Sequence, residues 1–99
     1  MAHKDFKTLV LEDLRLAVLQ VLECDPDYSH NERIIKNALA HIGHSTDSDT
    51  LTTQLHWLQD QSLVVLTDAG MLVAKLTARG EDVALGRVTV PGVARKRPE

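Results

Sequence analysis

Cysteine is all but missing from this chain. Cys24 stands alone in 99 residues, so no internal disulfide can form, and a reducing compartment is expected. Aromatic residues are as scarce, with one each of Phe6, Tyr28 and Trp57, so the core must be built from Leu, Val, Ile and Ala. No apolar run approaches the roughly 20 residues of a bilayer span. The charged start MAHKDFK lacks the apolar region of a secretory signal. These absences predict a cytoplasmic protein with no membrane partner. Catalytic signatures are missing too: no nucleophile has a matched base, no glycine-rich loop could cradle a phosphate, and no paired acids mark a pocket. The expectation is a non-enzyme without cofactor.

Positive charge is absent from one long stretch. No Lys or Arg lies between His44 and Met71, where Asp47, Asp49, Asp60 and Asp68 give a net charge of −4. Residues 1–44 carry five bases and seven acids (−2), and residues 71–99 carry six bases and three acids (+3), which together make the overall −3. Attraction to a polyanion is therefore expected from the last third of the chain.

What is present is strongly patterned. From Phe6 to Glu23 the spacing is helical, with Val10, Leu11, Leu14, Ala17, Val18, Val21 and Leu22 on one broad face. Leu9, Leu16 and Leu19 fall outside that face, so this helix needs cover on two sides. The expected cover is a second copy of the chain, with Leu9, Leu16 and Leu19 at a homodimer interface. The alternative is the chain's own C-terminal segment.

Pro26 ends the first helix. Ser29 and Glu32 have the spacing of a capping box for a second helix running to about His41, and Gly43 suits its C-terminal cap. A third helix follows the polar turn HSTDSD, capped by Thr46, Asp47 or Ser48. Leu51, Leu55 and Leu58 form its core stripe, which sets Thr53 opposite the core and Thr50 on a flank beside Trp57. SLVVLT and MLVAKLT then read as a β-hairpin turning at Asp68-Ala69-Gly70, followed by a short helix capped by Thr77 and ended by Gly86. The tail GRVTVPGVARKRPE reads as extended or disordered.

The expected fold is mainly α with a small β-hairpin, ordered helix, helix, turn, helix, hairpin, helix. That is the winged helix-turn-helix arrangement, over residues 1–90, with a basic C-terminal tail at 91–99. The runs LHWLQDQSLV (Leu55, Trp57, Leu58, Leu63, Val64) and LTARGEDVALG (Leu76, Thr77, Gly80, Asp82, Val83, Ala84, Gly86), with the VPGV of the tail, resemble small winged-helix proteins of Mu-like prophages. Those are comparable to ArsR- and MarR-type transcriptional regulators. The resemblance covers roughly Leu9 to Pro91 and implies DNA binding and transcriptional regulation. ArsR-type metal sensing needs thiolate-rich sites, and with Cys24 alone that property does not carry over.

On this reading Thr50, Thr53 and Gln54 face base edges of double-stranded DNA. Lys75, Arg79, Arg95, Lys96 and Arg97 hold phosphates. The acidic third helix cannot hold DNA unaided, so DNA binding is conditional on those bases. The competing expectation is a protein–protein interaction module on the same fold, its acidic helix facing a basic partner. Trp57 is read as packing across the hairpin rather than as a docking residue. His41, His44 and His56 read as turn and surface residues rather than metal ligands. Cys24, beside Asp25 and Asp27, reads as a semi-buried apolar residue rather than a nucleophile. The tail is open to three roles: DNA contact, a clamp packing Val88, Val90 and Val93 on a partner, or a solubilising extension.

Overall fold

The computed structural model describes residues 5–96. It is an α/β unit of four helices and one small antiparallel sheet: α1 (Phe6–Glu23), β1 (Ser29–Asn31), α2 (Glu32–His41), α3 (Ser48–Asp60), β2 (Val64–Asp68), β3 (Leu72–Leu76) and α4 (Ala78–Ala84). The sheet order is β1-β3-β2, so β3 is central. No helix among the described residues is long and apolar enough to cross a membrane.

The core is aliphatic, as the lack of aromatics requires. Leu19 and Leu22 of α1, Ile35 and Leu39 of α2, and Leu51, Leu55 and Leu58 of α3 are all but inaccessible, and Leu63, Val64 and Ala74 close it from the sheet side. In α1 the run Leu16-Ala17-Val18-Leu19 is buried through a full turn. This helix packs against α2, α4 and β3, and the chain's own C-terminal segment covers its remaining side. Val90 and Val93 are buried, and the Ala94 N–H donates to the Glu12 carbonyl at 3.1 Å. Two expectations are corrected. Leu16 and Leu19 do not face a second copy, because their own chain leaves them 6% and 0% exposed. The packed unit also runs past residue 90, since Val93 needs a place in the core and finds it beside α1.

The start of α1 behaves differently. Every residue from Asp5 to Val10 is exposed, including Phe6, Leu9 and Val10. The apolar face that is buried further along this helix stands clear of the fold here.

The strand β1 is an addition to the expected elements. Ser29, His30 and Asn31 pair with Lys75, Ala74 and Val73 of β3. Three polar residues have no period-2 signal to read, and only the partner strand makes them a strand. Consequently Asn31, not Ser29, caps α2, its side chain accepting the Ile34 N–H at 2.9 Å. Asp47 caps α3 by accepting the Thr50 N–H at 2.6 Å, and Thr77 caps α4 by accepting the Gly80 N–H at 3.0 Å. The hairpin turns through Gly70 at φ +83°, a conformation glycine adopts without strain.

Candidate nucleic-acid interface

The outward face of α3 follows from its core stripe. With Leu51, Leu55 and Leu58 turned inward, the helical period brings Asp49, Thr53, His56 and Asp60 to the exposed side. Thr53 is exposed where expected, its hydroxyl donating to the Asp49 carbonyl at 3.0 Å. Thr50 is half-buried at the first turn, with its N–H committed to Asp47. That hydrogen bond holds the Asp47 carboxyl below the usual range. His56 turns its Nδ1 towards the Thr52 carbonyl at 2.9 Å.

Gln54 lies elsewhere. It is 6% exposed, and its Oε1 accepts from Nε of Arg15 at 2.8 Å. The physical reason is its angular position, one turn from Leu51 and Leu58 on the side facing α1, where a long polar side chain meets a guanidinium. The expected base contact from Gln54 is therefore replaced by an internal one. Arg15 also donates to the Gly92 carbonyl at 2.8 Å and lies over the Trp57 ring, 3.9 Å from its centroid. Burial pushes the Arg15 guanidinium pKa down, and the negative charge of Glu12 opposes that shift. Trp57 thus packs against Arg15 and the C-terminal segment. A Cβ on Gly92 would sit 2.5 Å from the Trp57 ring.

The expected phosphate-binding residues do not gather on one element. Lys75 is exposed on β3, level with Ser29 on one neighbouring strand and Val65 on the other. Arg79, at the start of α4, donates Nε to the Gln61 carbonyl at 3.2 Å. Arg95 and Lys96 are exposed, and the stem of Lys96 lies against Gly86 at the end of α4. Arg97 lies outside the described residues.

Two cations that sequence reasoning passed over sit closer to α3. Arg33 is exposed and Lys36 half-buried on α2, and both line a cleft shared with Ser48, the first residue of α3, and with Met71 of the hairpin. The Lys36 ammonium donates to the Ser48 hydroxyl at 3.3 Å. Their i, i+3 spacing in the expected second helix was the available signal, since it puts both charges on one side of that helix.

The histidines are held apart. His44 Nε2 meets Asp13 Oδ2 at 2.8 Å, and His41 Nδ1 meets the Asn37 carbonyl at 3.0 Å. Among the described residues no three His, Cys, Asp or Glu side chains converge. Cys24 is exposed rather than semi-buried, because it caps the C-terminal end of α1 where the chain turns away from the core.

Two curated proteins are similar to this chain over most of its length. One is "Uncharacterized protein gp26" of Escherichia phage Mu, 41% identical over 91 residues, which are 91% of this chain and 94% of that protein. The other is an uncharacterized protein of Haemophilus influenzae, 40% identical over 76 residues, covering 75% of this chain and 74% of that protein. No family model matches the chain, and no solved structure matches it.

Proposed function

The chain belongs to the family of phage Mu gp26, and from that premise we propose that it is a dimeric winged helix-turn-helix protein that binds double-stranded DNA as a phage transcriptional regulator. The observation that carries this reading is topological. The order α1-β1-α2-α3-β2-β3, with the hairpin directly after α3 and β1 on the far side of β3, sets α3 and the hairpin turn side by side at the surface. The resemblance of the LHWLQDQSLV and LTARGEDVALG runs to small winged-helix proteins of Mu-like prophages, which are comparable to ArsR- and MarR-type regulators, supports it. In this reading Thr50 and Thr53 approach base edges, and bases on other elements hold the backbone. The exposed start of α1, with Phe6, Leu9 and Val10, joins the two copies. The test is fluorescence anisotropy with random-sequence and native upstream duplexes at low salt. Unchanged anisotropy of both duplexes at micromolar protein removes the DNA reading.

A second reading is favoured by one observation. The outward face of α3 carries Asp49 and Asp60 and no Lys or Arg, whereas the commonest specific base contact is Arg or Lys to guanine. The same fold then serves as a protein-interaction module for a basic partner. Binding to a cationic peptide rather than to DNA, abolished by Asp49→Asn with Asp60→Asn, is its signature.

A further inference from the structure

Of the cations among the described residues, several are already committed. Arg15 is bonded to Gln54 and Gly92, Arg79 to the Gln61 carbonyl, and Arg87 to Asp82 at 3.2 Å. Arg33 makes no hydrogen bond or ion pair with another described residue. Lys36 is bonded to the neutral Ser48 hydroxyl, which fixes its ammonium over the first turn of α3, where its charge also acts on the nearby Asp47 carboxylate. Two acids stand near them and keep their charge: Asp47, which accepts the Thr50 N–H, and Glu32, which lines the same cleft and accepts the Thr52 hydroxyl at 3.3 Å. Arg33 and Lys36 share one cleft with Ser48, Asn37 and the hairpin residue Met71.

We propose that this cleft between α2, the start of α3 and the hairpin turn seats the DNA backbone, with Arg33 and Lys36 each contacting a phosphate. The inference rests on the DNA-binding reading and goes beyond it, because it moves the anchoring charge from the C-terminal tail to α2. A phosphate seated there lies beside Ser48, so α3 meets the duplex start first and the acids Asp49 and Asp60 run along its outward side. Asn37 and Ser48 add neutral donors that the phosphate oxygens accept from. The guanidinium forks onto a phosphate and the ammonium acts as a point charge.

The experiment is anisotropy of a labelled duplex titrated with the full chain across a range of salt concentrations. The proteins are wild type, Arg33→Ala/Lys36→Ala, Arg33→Lys/Lys36→Arg and Arg95→Ala/Lys96→Ala/Arg97→Ala. Each lost phosphate contact flattens the plot of log affinity against log salt by about one unit. The expected result is a slope lower by about two for Arg33→Ala/Lys36→Ala, with wild-type slope in the charge-conserving variant. Thermal melts of all four confirm equal folding. An unchanged slope in Arg33→Ala/Lys36→Ala, with a flattened slope in the tail variant, overturns the cleft while leaving DNA binding in place. Absence of binding by the wild type at low salt overturns both.

Discussion

Arg15 lies across the face of Trp57, 3.9 Å from the ring centroid, and with its other donors ties α1 to both α3 and the C-terminal segment. A guanidinium over an indole is favourable, and more so once partly desolvated. The arrangement explains why a single Trp suffices in so aliphatic a chain. It supplies one flat wall, and the backbone of Gly92 closes on it at φ +92°. Replacing Gly92 by Ala puts a methyl 2.5 and 2.7 Å from two Trp57 ring carbons, on a backbone conformation that already disfavours a Cβ. The expected cost is about 1–3 kcal/mol, measured by urea unfolding. An unchanged midpoint would mean that the segment does not pack on Trp57 in solution.

Arg15 and Gln54 should behave as a unit. Arg15→Ala leaves a buried amide oxygen without its donor, a loss of about 1–3 kcal/mol. Gln54→Ala removes the acceptor but leaves Arg15 its Gly92 carbonyl and the Trp57 face. In a double-mutant cycle the two changes are expected to couple by roughly 0.5–3 kcal/mol. Additive effects would show that the 2.8 Å contact contributes nothing to stability.

Helices α1, α2, α3 and α4 and the hairpin were legible because each carries a local signal: an apolar stripe, a capping side chain, or a glycine at a turn. Leu51, Leu55 and Leu58 announce the inward face of α3 without any tertiary information. What stayed hidden depends on partners far away in the chain. β1 exists only through β3, and Gln54 turns inward only because Arg15, 39 residues earlier, meets it. Leu16 and Leu19 looked surplus to a one-sided helix, and the sequence left two covers open, a second copy or the C-terminal segment; Val90 and Val93 of that segment return to that side. Arg33 and Lys36 were visible as charges, but their place beside Ser48 depends on how α2 and α3 pack.

Two glycines separate space from conformation. At Gly80 a Cβ would meet the Leu63 carbonyl oxygen at 2.1 Å and Leu76 Cδ1 at 2.7 Å. That backbone contact cannot swing away, so Gly80→Ala is expected to cost about 3 kcal/mol, at the upper end of overpacking losses. At Gly43 nothing lies within 4 Å, but φ is +92°. Gly43→Ala should therefore cost only the conformational strain of about 1–2 kcal/mol. Thermal melts of the two variants should place Gly80→Ala well below Gly43→Ala, and the reverse order would contradict the close approach of α4 to the start of β2.

The exposed start of α1 gives the proposed dimer a specific test. Phe6 is 81% and Leu9 50% exposed, so Leu9→Glu adds a charge to the proposed joining surface without disturbing the core. Sedimentation equilibrium is expected to shift towards monomer for Leu9→Glu, with an unchanged melt at low protein concentration. If wild type and Leu9→Glu sediment alike, α1 does not join two copies through this end.

The α3 cap makes stability depend on pH in a stated direction. The Thr50 N–H lowers the folded pKa of Asp47 below its ordinary value, so the charged form is the one the fold prefers. A depressed carboxyl stabilises above the unfolded-state pKa of about 3.9, and its contribution is lost as pH falls through the lower folded value. Asp47→Asn keeps an oxygen for Thr50 but cannot titrate. The stability gap between wild type and Asp47→Asn should therefore be full near neutral pH and close as the pH drops below about 4. Asp5 at the start of α1 is also lowered, first by a hydrogen bond with the Thr8 side chain and next by the Thr8 N–H. Because Asp5 is present in both proteins, it cancels from the gap, and the pH dependence of the difference belongs to α3. Urea midpoints from pH 7 to pH 2.5 measure it, and a gap that stays constant would mean that the Asp47 charge adds nothing to the cap.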